Sequence, residues 1–205
     1  VADEIVDTFH GSPQAEMLEE FRKDTDLAIE RKISTNPVLH SFQKVVNEYN
    51  IEKYLIDTFL DSMEMDLSKI EYDQEKYEKY ILGSAEVVGL MCLRVFVDKN
   101  DALYNELKPS AMKLGSAFQK INFLRDLKDD YQNLGRMYFP DVEMQMFDEK
   151  VKKQLEIEIA ADFHEGFLGI KKLPKQSRFG VYIAYIYYSK LLKEISKKPA
   201  ATLLK

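Results

Sequence analysis

Four oxygen-bearing side chains, Gln119, Asn122, Asp126 and Asp130, follow one another at spacings of three, four and four in "GSAFQKINFLRDLKDD". On a helix such residues lie on one side, each a turn above the last. Like charges at i,i+4 weaken an isolated helix by about 0.2–0.5 kcal/mol per pair, so the row needs a reason outside the helix. A second pair, Asp3 and Asp7, has the same spacing in "DEIVD" at the start of the chain. Carboxylate and amide oxygens are what hard divalent cations take. Mg²⁺ in particular keeps several waters and binds through one or two carboxylates plus substrate phosphates. Two acidic helix faces aimed at one another would form such a site. Arg125, Lys128 and Arg136 are close enough in sequence to hold phosphate oxygens.

Spacing alone does not single these residues out. Glu16–Glu20, Glu20–Asp24, Asp57–Asp61 and Glu158–Asp162 are spaced alike, and each is expected on a solvated helix face. The 119–130 row differs because, followed backwards, it runs into Gly115 and Ala111, where side chains are absent or small. Oxygen donors above a floor of small residues suit a cavity with a charged mouth and an apolar depth. Gly83, Glu86 and Gly89 share a face of the neighbouring helical segment and form either its other wall or a close helix contact. Tyr188, four residues after Ala184, lies on a tyrosine-rich face that serves as core or as a wall whose rings attract a carbocation. If Gly115 lines the cavity, Gly115→Leu blocks long substrates and spares the fold. If the acids crowd one site, Asp126→Asn raises the metal-free melting temperature slightly, whereas an Asp57→Asn control does not.

The elements that must hold these residues are helical nearly throughout. The chain has 205 residues, 45% of them hydrophobic, with 8 Gly and 6 Pro, enough for one all-α domain. Ser12-Pro13 opens a helix to about Lys32, and Asn36-Pro37 opens the next. Asn50 is expected to cap a helix through Asp66, and Asp73 to begin one through about Phe96. After Asp101 a short piece leads to Pro109, expected to start the helix that carries the row and stops at Asn133-Leu134-Gly135. Asp148 begins another that ends before Pro174, and Ser177 begins the last. That makes about eight helices, without repeats or low-complexity linkers.

Composition narrows the function classes. A net charge of −6 and a pI near 5.3 argue against a nucleic-acid partner, which needs clustered Lys and Arg. The single cysteine, Cys92, sits in the apolar run "VVGLMCL". It excludes an intrachain disulfide, favours a reducing compartment and reads as core. His10, His40 and His164 have no ligand spacing. No run approaches the roughly 20 apolar residues of a membrane span, and no signal peptide is visible. Val1 falls inside a helical pattern, so the chain is expected to be incomplete at its N-terminus and at its C-terminus.

"DEIVD", "NFLRDLKDD" (122–130) and "GRMYFP" (135–140) together resemble the squalene and phytoene synthase family, which joins two prenyl diphosphates head to head. "YILGSAEVVG" (80–89) and "RFGVYIAYIYYSKLLKEI" (178–195) are similar to that family's inner and last helices. The resemblance spans essentially the whole chain and implies an isoprenoid synthase fold, a helix bundle around a central cavity. By this resemblance, Asp3 and Asp7 bind Mg²⁺, with Mn²⁺ as a substitute, from one wall, and Asn122, Asp126 and Asp130 bind it from the other. Gln119 and Arg125 meet the diphosphate or its water shell, Arg136 and Tyr138 do so at the mouth, and Tyr188 approaches substrate from the last helix. Two departures stand out: the sequence as read starts at Val1, so the family's diphosphate-binding stretch before the first Asp pair is expected to be missing from it, and Glu86 stands where the family usually has a small residue.

The implied reaction is metal-assisted loss of diphosphate and attack by the second substrate to give a cyclopropyl diphosphate. A second ionisation and rearrangement follow. Two geranylgeranyl diphosphates giving phytoene, in carotenoid biosynthesis, is the expected case. Farnesyl diphosphate giving squalene or dehydrosqualene is the alternative, and NADPH is needed only for squalene. A cytoplasmic enzyme, with peripheral membrane contact to release its product, is implied. A catalytically silent family member acting as a scaffold is the rival; its acidic pairs should have eroded, and both are intact here.

Overall fold

In the computed structural model, residues 1–68, 72–130, 138–140 and 147–204 are described, and among them every regular element is helical. A six-residue helix α1 (Ala2–Asp7) is followed by α2 (Gln14–Arg31), α3 (Pro37–Tyr49) and α4 (Lys53–Met65). α5 (Gln74–Ile81) runs through a π-helical turn at Leu82–Glu86 into α6 (Val87–Phe96). The long α7 (Asp101–Asp129) comes next, then α8 (Glu149–Ile170), α9 (Lys175–Ser196) and a single turn, α10 (Ala200–Leu203).

The starts follow local chemistry. Asn36, Asp73, Asn100 and Asp148 each take a backbone N–H two or three residues on, at 2.8–3.0 Å for Val38, Lys76, Leu103 and Val151, which satisfies donors the first turn leaves open. Two expectations need correction. Asn50 does not begin a helix: it ends α3 in the left-handed region at φ 53°, a conformation asparagine tolerates well, and Glu52 precedes α4. Nor does Pro109 start one, because it lies inside α7. A proline there removes one backbone bond, leaving the Asn105 carbonyl without its i+4 donor. Both Pro109 and Asn105 are exposed, so water can serve that carbonyl. The expected stop at Asn133-Leu134-Gly135 lies outside the described residues.

α7 is the central helix, with α8 against one side and the π turn and α6 against another. The packing is close because small residues face backbone. A Cβ at Gly115 would lie 2.6 Å from the Ala85 carbonyl oxygen, and one at Gly89 would lie 2.9 Å from that of Ala111. On the other side, a Cβ at Gly166 would meet Leu114 Cβ at 2.9 Å. Gly83 makes the same kind of contact with α4, where a Cβ would come within 2.7 Å of the Thr58 carbonyl oxygen. These contacts leave no room for a methyl group, and they hold α7 in register between its neighbours. The outer face of α9 leaves Phe179, Tyr182, Ile183 and Tyr187 exposed.

Candidate functional site

α7 carries both halves of the site. Gln119, Asn122, Asp126 and Asp130 are all half-buried, so the row forms a rim and does not face open solvent. The Nδ2 of Asn122 donates to Gln119 Oε1 at 3.4 Å, and the Tyr188 hydroxyl of α9 donates to Asn122 Oδ1 at 3.4 Å. Arg125 donates twice to its neighbour Asp126, Nε to Oδ1 at 2.7 Å and Nη2 to Oδ2 at 2.6 Å. That bond to Asp126 raises the guanidinium pKa further, with burial opposing it.

Below the rim lies a cavity of about 400 Å³. Gln119, Gly115 and Ala111 line it, as does Gly89 from α6. Other walls come from α8 (Gly166, Gly169) and α9 (Val181, Ala184). The lining is almost wholly apolar until Gln119, where the oxygen row begins. Tyr188 does not reach the lining itself. It stacks on Phe118, which does, at 4.1 Å between ring centroids.

Several expected assignments shift. Gly83 and Glu86 do not share the cavity wall with Gly89: Gly83 serves the α4 contact, and Glu86 faces charges on α7 and α8. Burial pushes the Glu86 carboxyl pKa up, with Lys113 opposing and Asp162 reinforcing. Gly115 lines the cavity, yet its Ala85 contact makes it a packing glycine too, so Gly115→Leu would disturb the fold. Tyr138 is not at the mouth. It is buried, stacked on Phe123 at 4.2 Å among Tyr72 and Tyr80, and its hydroxyl donates to Asp66 Oδ1 at 3.4 Å. Arg136 lies outside the described residues. Cys92, expected in the core, borders the cavity.

Asp3 and Asp7 sit on α1, Asp3 exposed and Asp7 half-buried, and α1 packs against α2 and α4. Among the described residues no group of three or more His, Cys, Asp or Glu is gathered closely enough to hold a metal. The oxygen donors nonetheless suit Mg²⁺ in kind. That ion takes one or two carboxylates and completes its shell with water and substrate phosphate, needing no all-protein cage. Asn122 and Asp126 on one rim, with Arg125 beside them, match that chemistry.

Asp66 and Asp162 are two of the buried polar groups that the sequence did not reveal. Asp66 accepts from the Tyr80 hydroxyl at 2.7 Å as well as from Tyr138; burial, then the Asp66 charge, pushes the Tyr80 phenol pKa up. Asp162, assigned to a solvated face, is buried between α8 and α7. It takes Lys113 Nζ at 2.8 Å on one oxygen, and Lys120 Nζ at 2.8 Å and Ser116 Oγ at 3.2 Å on the other. Burial alone would raise its pKa, but the hydrogen bonds and charges of Lys113 and Lys120 outweigh it and hold the carboxyl below the usual range. Lys113, Ser116 and Lys120, spaced three and four on α7, were the available signal.

Known proteins bear on this geometry. The chain is 28% identical over 169 residues to phytoene synthase 1, chloroplastic, of Solanum lycopersicum, covering 73% of this chain and 40% of that protein. It is 30% identical over 172 residues to phytoene synthase 1, chloroplastic, of Arabidopsis thaliana, covering 73% and 40%. The chain thus spans about 40% of the length of these relatives. Its fold is similar to squalene synthase HpnC from Alicyclobacillus acidocaldarius, with a TM-score of 0.79 at 19% identity, covering 96% of this chain and 78% of that one. A dehydrosqualene synthase in complex with ligand gives a TM-score of 0.78 at 20% identity, covering 96% and 81%. No helix among the described residues is long and apolar enough to cross a membrane. The sequence model of squalene/phytoene synthase matches residues 1–205, and with the oxygen row above an apolar cavity in view, the chain belongs to the squalene/phytoene synthase family.

Proposed function

We propose that this chain forms the catalytic domain of a prenyltransferase that condenses two prenyl diphosphates head to head through a cyclopropyl diphosphate, with two geranylgeranyl diphosphates giving phytoene. The observation that carries this reading is the change of lining at Gln119, where an apolar cavity of about 400 Å³ meets a row of amide and carboxylate oxygens. A hydrocarbon tail suits the first and a diphosphate head the second. The phytoene synthases among the relatives favour the C20 substrate.

Asp3, Asp7, Asn122, Asp126 and Asp130 would hold Mg²⁺ or Mn²⁺, which when bound neutralises charge developing on the departing diphosphate. Arg125, aligned by its two bonds to Asp126, offers its remaining N–H groups to phosphate oxygens. Gln119 stands where head and tail join. Tyr188 orients the Asn122 amide through its hydroxyl and backs Phe118, whose ring faces the cavity where positive charge develops on the allylic carbons. The apolar walls exclude water that would otherwise capture that cation. The double bond of the second substrate attacks the cation, and proton loss closes the cyclopropane. After the second ionisation and rearrangement, proton loss gives phytoene.

The test is to incubate the protein with Mg²⁺ and either geranylgeranyl or farnesyl diphosphate, with and without NADPH, and to identify the hydrocarbon by mass spectrometry. Phytoene supports the reading. Squalene or dehydrosqualene moves it to the C15 substrate, and release of diphosphate from neither overturns it in favour of a silent family member.

A further inference from the structure

Resting on the prenyl diphosphate reading, we infer that Cys92 and Phe96, on successive turns of α6, gauge the length of the hydrocarbon tail. The direction of the cavity is fixed by the helix contacts. Gly115 lies against Ala85 and Ala111 against Gly89, so α6 descends as α7 is followed back from its rim. Gln119 is the lining residue nearest the oxygen row and Leu107 the farthest from it on α7. Their separation of twelve residues corresponds to a rise of about 18 Å. One turn beyond Gly89 stands Cys92, and one turn beyond that Phe96, with the buried Leu107 and Leu173 at the end far from the oxygen row. There the Ser177 hydroxyl donates to the Phe96 carbonyl at 3.2 Å and ties the start of α9 to this end of α6. Phe96 packs on the cluster of Leu93, Val97, Tyr104, Leu107 and Leu173, which makes its ring the floor.

At the α6–α7 contacts the width of this channel cannot be reduced by adding a side chain. At Gly115 and Gly89 a single methyl group would collide with backbone carbonyls, and backbone yields only by moving whole helices. Depth is different, because at that end the lining is made by side chains, Cys92 and Phe96 among them. Cys92 borders the cavity with part of its side chain accessible there, and the apolar surroundings push its thiol pKa up. A ring at position 92 would close the channel one turn, about 6 Å, above the floor, a distance on the scale of one five-carbon unit. Loss of the Phe96 ring would deepen it.

Two measurements test the gauge. In the first, kcat/KM is compared for farnesyl and geranylgeranyl diphosphate. Cys92→Phe should lower the C20-to-C15 ratio at least tenfold while C15 turnover persists, and Phe96→Ala should raise it at least threefold. An equal loss on both substrates would overturn the gauge. The second needs no variant and no turnover. Cys92 is the single cysteine, so alkylation by N-ethylmaleimide at pH 8, read by mass spectrometry, reports on it alone. With Mg²⁺ present, geranylgeranyl diphosphate should slow alkylation at least fivefold, and farnesyl diphosphate should slow it less. Equal protection by both chains, or protection by neither, overturns the inference. Failure of the catalytic reading would show separately, as wild-type protein that protects its thiol but releases no diphosphate.

Discussion

The two acid pairs have the same spacing and rest on unlike supports. Asp3 and Asp7 lie on a helix of six residues, far below the 12–15 at which an isolated helix becomes even marginal. α1 exists because Ala2, Ile5 and Val6 are buried and because the Gln14 side chain donates to the carbonyls of Ile5 at 2.7 Å and Val6 at 3.0 Å. Those carbonyls are among the four that a helix end leaves open. Asp126 and Asp130 close a helix of 29 residues that glycine contacts clamp on two sides. A buried carboxylate with two lysines joins that helix to α8. One identical motif is therefore fixed by the middle of the fold, the other by a handful of local contacts. A site that needs both has one wall set in advance and one wall held at its edge.

The largest effect expected within this contrast comes from removing the support of the long helix. Asp162→Ala leaves the buried Lys120 with only Glu158, at 3.9 Å, as counter-charge, and breaking a buried pair costs up to about 3–5 kcal/mol. Urea unfolding should show a lower midpoint with an unchanged slope. The pH dependence follows from the lowered carboxyl of Asp162. Its contribution is full above the unfolded value of about 3.9 and is lost as pH falls through the lower folded value, so the gap between wild type and variant should narrow in acid. A gap that widens in acid would contradict the ion-pair assignment.

Next in size is the rim itself. Asp126→Asn should lower turnover about 10²- to 10³-fold, the scale of one lost electrostatic stabiliser, in a steady-state assay with Mg²⁺. The metal-free melting temperature should change little, because Arg125 already matches the Asp126 charge. Losing that partly exposed pair, worth about 0–1 kcal/mol, offsets any relief of repulsion. Asp57→Asn, whose partner is Lys53 at 2.6 Å, should leave turnover intact. Equal turnover in the two variants would make Asp126 an ordinary surface acid.

Gly115→Leu should then cost at least about 1–3 kcal/mol, as overpacking does, read by thermal unfolding. A variant that unfolds normally yet refuses C20 substrate would restore the simple channel-blocking view. The smallest effect belongs to the short helix. Gln14→Ala removes two hydrogen bonds, each worth about 0.5–1.5 kcal/mol net. It should weaken the stabilisation given by Mg²⁺ with inorganic diphosphate more than it lowers the melting temperature of the free protein. If Gln14→Ala and Asp162→Ala lower stability alike, the contrast between the two supports fails.

What the sequence determined by itself was whatever one or two turns of helix decide. Asn36, Asp73 and Asp148 announced helix starts because a capping side chain bonds a backbone N–H only two or three residues away. The oxygen row from Gln119 to Asp130 was legible because 3.6 residues per turn puts it on one side whatever surrounds the helix. Partnership across helices was not legible. Asp162 and Asp57 share the same local pattern, yet one is buried against lysines 42 and 49 residues away in sequence and the other bonds Lys53 near solvent. The family resemblance implies a rim phenol at Tyr138, whereas its hydroxyl bonds Asp66, 72 residues earlier. Pro109 reads as a start until α7 proves long enough to contain it. In each case the deciding free energy is burial against a neighbour distant in sequence, and only the packed tertiary structure says which neighbour that is.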